Sequence, residues 1–157
     1  MSQNNPAFTS KEIVQQFFLN VRSGKHPEKA VDYMADTVLA HQIVSEDPVT
    51  VIRTPQNYAE HVRALLEQFG TFDLEIQELF AENNKVFVRW KQTGKHLAAI
   101  DGYQPTGLPL TDFGSAVYLI EDGKIKEYWI LPDRFGLDVQ LKKNALIKND
   151  WPLNHDL

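Results

Sequence analysis

Two stretches in the second half of the chain place ionisable side chains where strand geometry would turn them toward an apolar interior: GKHLAAIDGYQPTG at 94–107 and YWILPD at 128–133. Over 86–96, alternation sets Val86, Val88, Trp90, Gln92, Gly94 and His96 on one side, against Phe87, Arg89, Lys91, Thr93 and Lys95 on the other. The charges on the second side assign the first to the interior, so His96 shares a face with Trp90. An imidazole there either serves a site or ends a strand, satisfied by a neighbouring carbonyl. In the last strand Ile125, Glu127, Trp129, Leu131 and Asp133 share one parity and Lys126, Tyr128, Ile130 and Pro132 the other; with Glu127 beside Trp129, the pattern leaves open which side faces inward. An aspartate that follows Trp129 and Leu131 out of water would keep its proton to higher pH, as acid–base catalysis requires. The competing roles for Asp133 are to cap the turn that follows or to pair with Arg134. Asp112 is a second acid, in step with Gly114, Ala116 and Tyr118, on a face whose direction the pattern leaves open.

Other chemistries lack their residues. The five histidines, at 26, 41, 61, 96 and 155, are scattered, with no His-Glu-x-x-His and no metal-ligand spacing. Ser115 sits in DFGSAVY, outside any nucleophile elbow. GLPLTDFG has no lysine with which to cradle a phosphate. No metal site is expected from these residues.

The elements that position these residues follow from caps, stops and periods. TSKE at 9–12 is a capping box ahead of the stripe Ile13, Phe17 and Val21, and Gly24 is a stop. A short helix from Pro27 turns Ala30, Val31 and Met34 inward, and TVLAHQIV at 37–44 reads as a strand broken by SEDP. Thr54-Pro55 starts a third helix, with Tyr58, Val62, Leu65, Leu66 and Phe69 on its apolar side, ending at Gly70. His61 borders that stripe as a core-edge residue. FDLEIQELFA alternates with Phe72, Leu74, Ile76 and Glu78 on one side. Turns at ENNK and EDGK punctuate the strands that follow, and Pro132 marks a strand end or an edge. Residues 134–141 form a closing helical turn. Helices followed by a meander of strands predict an α+β domain. A sheet curving around three amphipathic helices would leave a conical cavity, a common setting for a small-molecule site. The boundaries expected are a disordered lead-in at 1–8, one domain over 9–141, and a tail at 142–157 that is polar apart from Trp151 and Leu153.

Composition limits the partners. At 157 residues and 43% apolar content, one core is expected, and 9 Phe, 5 Tyr and 3 Trp can line it. The net charge of −5 and the lack of a basic, aromatic-laced cluster argue against nucleic acid. The absence of cysteine excludes thiolate sites and disulfides. No apolar run approaches the length of a membrane span, and the first ten residues lack the pattern of a secretory signal. These features lead to the expectation of a cytoplasmic protein with no membrane partner.

The segments 93–107 and 122–141 carry Gly94-x-His96, Gly102, Pro105-Thr106-Gly107, Asp122-Gly123-Lys124-Ile125, Trp129, Asp133-Arg134 and Gln140-Leu141. Together these resemble the SnoaL-like polyketide (ester) cyclases of the nuclear-transport-factor-2-like superfamily, and the upstream helix order agrees. The resemblance implies a cone-shaped, curved antiparallel sheet wrapped around N-terminal helices. It also implies cofactor-free acid–base chemistry of the cyclase or isomerase type on a small apolar carbonyl compound. In that reading Asp133 is the general acid and base, His96 orients the substrate or binds its carbonyl oxygen, and His41 hydrogen-bonds across the cavity. Trp129, Trp90 and Tyr33 would form the apolar wall, and the outer sheet face would pair two copies in a homodimer. The alternative is a pocket of the same fold that binds a small ligand, or serves in stress, without turnover. One departure is Leu119, at a position where relatives often carry a polar side chain.

Overall fold

The computed structural model describes residues 7–156. Positions 1–6 of the expected lead-in lie outside the described residues, and Ala7 and Phe8 precede the first helix without regular structure. Helix α1 (Ser10–Phe17) starts at the capping box: Thr9 Oγ1 accepts from the Glu12 amide at 3.2 Å, and the Glu12 carboxylate accepts from the Thr9 amide at 2.9 Å. Past Phe17 the helix widens into one π turn, Phe18–Arg22, a form frequent at functional sites. Ile13, Val14, Phe17, Phe18 and Val21 are buried, and so is Arg22. A 3₁₀ turn at Pro27–Lys29 leads into α2 (Ala30–Tyr33), and α3 (Pro55–Phe69) begins at a second cap, where Thr54 Oγ1 accepts from the Asn57 amide at 3.1 Å.

Six strands form one sheet: β1 (Met34–Gln42), β2 (Val49–Arg53), β3 (Asp73–Glu82), β4 (Lys85–Lys95), β5 (Pro109–Glu121) and β6 (Lys124–Pro132). Their order is β2-β1-β6-β5-β4-β3. The strand expected at 37–44 does stop ahead of SEDP, but one further strand follows: SEDP lies in the connection of a hairpin, and β2 pairs back antiparallel on β1. The sheet is also mixed rather than wholly antiparallel, because β1 lies parallel to β6. Parallel neighbours need a long crossover. Here α3 carries the chain to the far edge, and the meander β3 to β6 returns it to β1.

Helices α1, α2 and α3 cover one face of the sheet, and Val38, Ala40, Val86, Val88, Trp90, Ala116, Tyr118, Ile125 and Tyr128 point toward them. Phe17 and Phe18 are sealed completely, each contributing about 1.5–3 kcal/mol relative to exposure. Their rings meet Tyr118 edge-on at 6.0 and 5.8 Å. Two bulges interrupt the alternation. One, at Gln77, leaves Ile76 opposite Trp90 but sets Glu78 opposite Arg89, so Glu78 leaves the side of Phe72, Leu74 and Ile76 and Leu79 packs inward instead. The second, at Lys126, separates Ile125 from Glu127 in the same way.

The closing turn expected at 134–141 is the start of a longer helix, α4 (Arg134–Asp156). Leu141 is fully buried in a second, smaller core with Phe69, Phe72, Ile100 and Leu110. Because β6 ends at Pro132, opposite Gly114, the preceding part of β5 needs other partners. The Gln140 side chain supplies them, accepting from the Thr111 amide at 2.9 Å and donating to the Thr111 carbonyl at 2.7 Å. Among the described residues, no helix is long and apolar enough to cross a membrane.

Trp90 lies flat over Gly114, its partner on β5: a Cβ built there would sit 2.4 Å from the indole Cζ2. We predict that Gly114→Ala forces the indole aside and lowers stability by roughly 1–3 kcal/mol. Urea unfolding with tryptophan fluorescence checks this, and an unchanged midpoint would refute it.

Candidate active site

Between the inner sheet face and α3 lies a cavity of about 190 Å³. Six of the elements around it contribute polar groups. Arg22 comes from the π turn, Gln42 from β1, Arg53 from β2, Tyr58 and His61 from α3, Asp112 and Tyr118 from β5, and Tyr128 from β6. Trp90, Leu65, Phe113, Ile130 and Pro132 complete the wall. Arg22 is held from two directions. Its Nη1 donates to Gln92 Oε1 at 2.8 Å, and its guanidinium carbon lies 5.6 Å from the Phe72 ring and 5.7 Å from Trp90. Gln92 stands directly opposite Asp112 in the β4–β5 ladder, so the same pairing that fixes Arg22 brings the carboxylate to the cavity.

Burial pushes the Asp112 carboxyl up to about 6; Arg22 opposes the shift, and the Asp133 charge adds to it. Burial, reinforced by Arg53 and Arg22, pulls His61 down to about 4, so its imidazole is neutral at pH 7. Burial also raises Tyr58, Tyr118 and Tyr128, which therefore keep their phenolic protons. The cavity thus combines a carboxyl whose pKa burial raises to about 6, two guanidiniums, and fixed O–H donors. That set can move a proton and hold a negative oxygen.

Of the residues expected in the site, only Trp90 lines this cavity. Asp133 is exposed and caps α4, its Oδ1 accepting from the Gly136 amide at 2.9 Å; the capping role competes successfully because the strand ends one residue earlier. Trp129 lies on the outer sheet face, since the bulge at Lys126 reverses the parity that ties it to inward Ile125. His41 is also outside, alternating with inward Val38, Ala40 and Gln42. There it stacks on Trp129 at 5.3 Å, with Nδ1 2.9 Å from Thr50 Oγ1 and Nε2 2.5 Å from Glu127 Oε2. Tyr33 packs against Phe17, and its hydroxyl accepts from Asn20 Nδ2 at 2.8 Å.

His96 is completely buried on the inner face, yet it lies apart from the cavity lining. Both its ring nitrogens lack a hydrogen-bond partner among the described residues. Its backbone bonds to Leu108 and Gly107 close the 97–106 loop, within which Ile100 and Tyr103 bridge around Asp101-Gly102. Leu119 alternates with inward Tyr118 and Ile120, so its lack of a proton has no bearing on the cavity. No group of three or more His, Asp or Glu side chains among the described residues is arranged to hold a metal.

Several functional candidates had a signal in the sequence. Arg22 extends the Val14–Phe18 stripe by one further step of four. His61 falls between Tyr58 and Leu65 on the α3 stripe, and Asp112 shares the parity of Tyr118. Arg53 had no such signal until β2 was recognised, when it falls in step with Val51.

The raised Asp112 carboxyl makes a stability prediction. The folded state holds a proton that the unfolded chain has already lost, so this group's contribution falls as pH rises from about 4 to about 6. Asp112→Asn should match the parent at pH 4 and exceed it by roughly 1–3 kcal/mol above pH 6. His61 works in the opposite sense, losing stability as pH falls from 6.5 toward 4, but it is common to both proteins and cancels. Urea midpoints at both pH values test this, and a pH-independent difference would show that Asp112 is not desolvated.

The profile of the SnoaL-like polyketide cyclases matches residues 12–141. Among solved structures, the chain is similar to a provisionally named polyketide cyclase from Acidithiobacillus ferrooxidans, with 28% identity, a TM-score of 0.74, and 86% of this chain and 95% of that one covered. IdmH of Streptomyces antibioticus, also provisionally named a polyketide cyclase, shares the fold at 19% identity and a TM-score of 0.70, over 86% of this chain and 99% of its own. AclR of Streptomyces galilaeus, provisionally named a hydroxylase, does so at 19% identity and a TM-score of 0.70, over 85% and 96%. A Burkholderia thailandensis protein named as NTF2-like superposes with a TM-score of 0.66 at 16% identity, over 86% of this chain and 98% of its own. No curated protein matches the chain significantly. With the profile spanning most of its length and the helix-backed sheet of those structures, the chain belongs to the SnoaL-like polyketide cyclase family.

Proposed function

We propose that the cavity carries out acid–base chemistry on a small carbonyl compound, with Asp112 rather than Asp133 as the proton carrier. The observation that supports this is the juxtaposition of a desolvated carboxyl with two guanidiniums in one aromatic-lined hollow. Asp112, ionised at neutral pH, removes a proton from the carbon beside the carbonyl. The electron pair moves onto the carbonyl oxygen, where Arg22, Arg53 and the tyrosine hydroxyls stabilise the enolate. The neutral imidazole of His61 orients the ligand by hydrogen bonding. The enolate carbon then attacks a second carbonyl, closing a ring, or is reprotonated at another position; Asp112 returns its proton to the new oxygen or carbon. Cyclisation is the reaction for which the family is named, and isomerisation uses the same first step. Asp133, outside the cavity lining, acts only through its charge on Asp112.

Hydrogen–deuterium exchange next to the carbonyl of small β-diketones, followed by NMR, tests the assignment. Asp112→Asn should slow exchange by about 10²–10⁴-fold, while Asp133→Asn should leave the rate within a few-fold and move the pH midpoint slightly lower. Equal losses in both variants would refute the assignment. Tight binding without exchange by the parent protein would favour a non-catalytic binding module.

The expected homodimer remains part of the proposal. Leu39, Ile52, Phe80 and Leu131 stand exposed on the outer sheet face, a surface of the kind that pairs subunits. Light scattering should give twice the 18.0 kDa chain mass; a monomer would remove the dimer from the proposal.

A further inference from the structure

We infer that the compound taken by this cavity is a small organic anion, a 3-oxo carboxylate or an acid of similar shape, gripped by Arg53 and Arg22. A neutral ester would leave these groups unmatched. This rests on the cavity being the site, as proposed above, and it adds the class of ligand.

The argument begins with uncompensated charge. Arg89, Arg134 and Lys142 each pair with a carboxylate on the surface. Arg22 and Arg53 form no such pair among the described residues, although both line the cavity and Arg22 is only 8% exposed. Arg22 spends one N–H on Gln92 and faces aromatic rings. Arg53 Nε is shut off from solvent and has no hydrogen-bond partner among the described residues. A buried guanidinium donor without an acceptor is costly, and a carboxylate meets its paired N–H geometry better than any neutral group.

The charges around the cavity leave room for one anion. Asp112 is the single carboxylate in its lining, against two guanidiniums. His61 adds no charge at pH 7, and Tyr58, Tyr118 and Tyr128 keep their protons. Within the lining one positive charge therefore stays unmatched even when Asp112 is ionised, Asp133 lying outside it. Size points the same way: about 190 Å³ falls below the range of pockets for drug-sized molecules, so the ligand is a short acid rather than a fused polycycle. The carboxylate would lie against Arg53 and Arg22, leaving the 3-oxo group and its acidic carbon for Asp112.

Calorimetry with 3-oxobutanoate and its methyl ester tests this. The parent protein should bind the acid about tenfold or more tightly than the ester. Arg53→Met and Arg22→Met, checked for folding by circular dichroism, should reduce that preference, and Arg53→Lys should keep part of it. Equal affinity for acid and ester in the parent, binding of neither, or a preference that survives in both methionine variants would overturn the inference. Equal affinity together with Asp112-dependent exchange on the ester would overturn the inference but leave the acid–base proposal standing. A strong preference for the acid without any effect of Asp112→Asn on exchange would do the reverse.

Discussion

A guanidinium placed inside a protein needs partners, and the fold is arranged around providing them for Arg22. The π turn at the end of α1 carries the side chain inward, Gln92 takes one of its N–H groups, and the rings of Phe72 and Trp90 lie beside it. Leaving such a charge unpartnered would cost several kcal/mol. The register of β4 against β5, which sets Gln92 opposite Asp112 and Trp90 over Gly114, therefore serves stability and site geometry together. The polar interior and the aromatic wall are set by the same ladder.

The same constraint explains why so few groups in the cavity titrate in their usual range. Low polarity favours neutral forms, and the permanent guanidinium charges disfavour a second cation, so His61 stays neutral and the tyrosines keep their protons. Asp112 feels desolvation and attraction to Arg22 in opposite senses, and desolvation wins. Its affinity for a proton is left near neutrality, where one carboxyl can both take and return a proton. A carboxyl in water, such as that of Asp133 at the head of α4, has no such environment, and its hydrogen bond to Gly136 serves the helix instead.

Two bulges determine which side chains meet. Each adds one residue to a strand and reverses the facing of everything beyond it. At Gln77 the result is local: Glu78 leaves the apolar side and finds Arg89 at 3.5 Å. At Lys126 it is decisive, because Tyr128 then turns into the cavity while Glu127 and Trp129 join His41 and Thr50 outside. Unbroken alternation along the last strand places Trp129 with Ile125, and that step fails at one inserted residue.

The linear chain alone reveals the helix starts at Thr9 and Thr54, the stop at Gly70, the Asp122-Gly123 turn, the α+β class and the family, because caps, glycine turns and motif spacing act over a few residues. It also held the inward stripe of β4 and the parity of Asp112 with Tyr118. The β2 hairpin, the parallel contact of β1 with β6, the two bulges and the gathering of Arg22, Arg53, His61 and Asp112 were decided by the tertiary structure alone. Their physical reason is common: each depends on pairing between segments far apart in the chain. Which carboxyl sheds its water is settled only when those segments close around it.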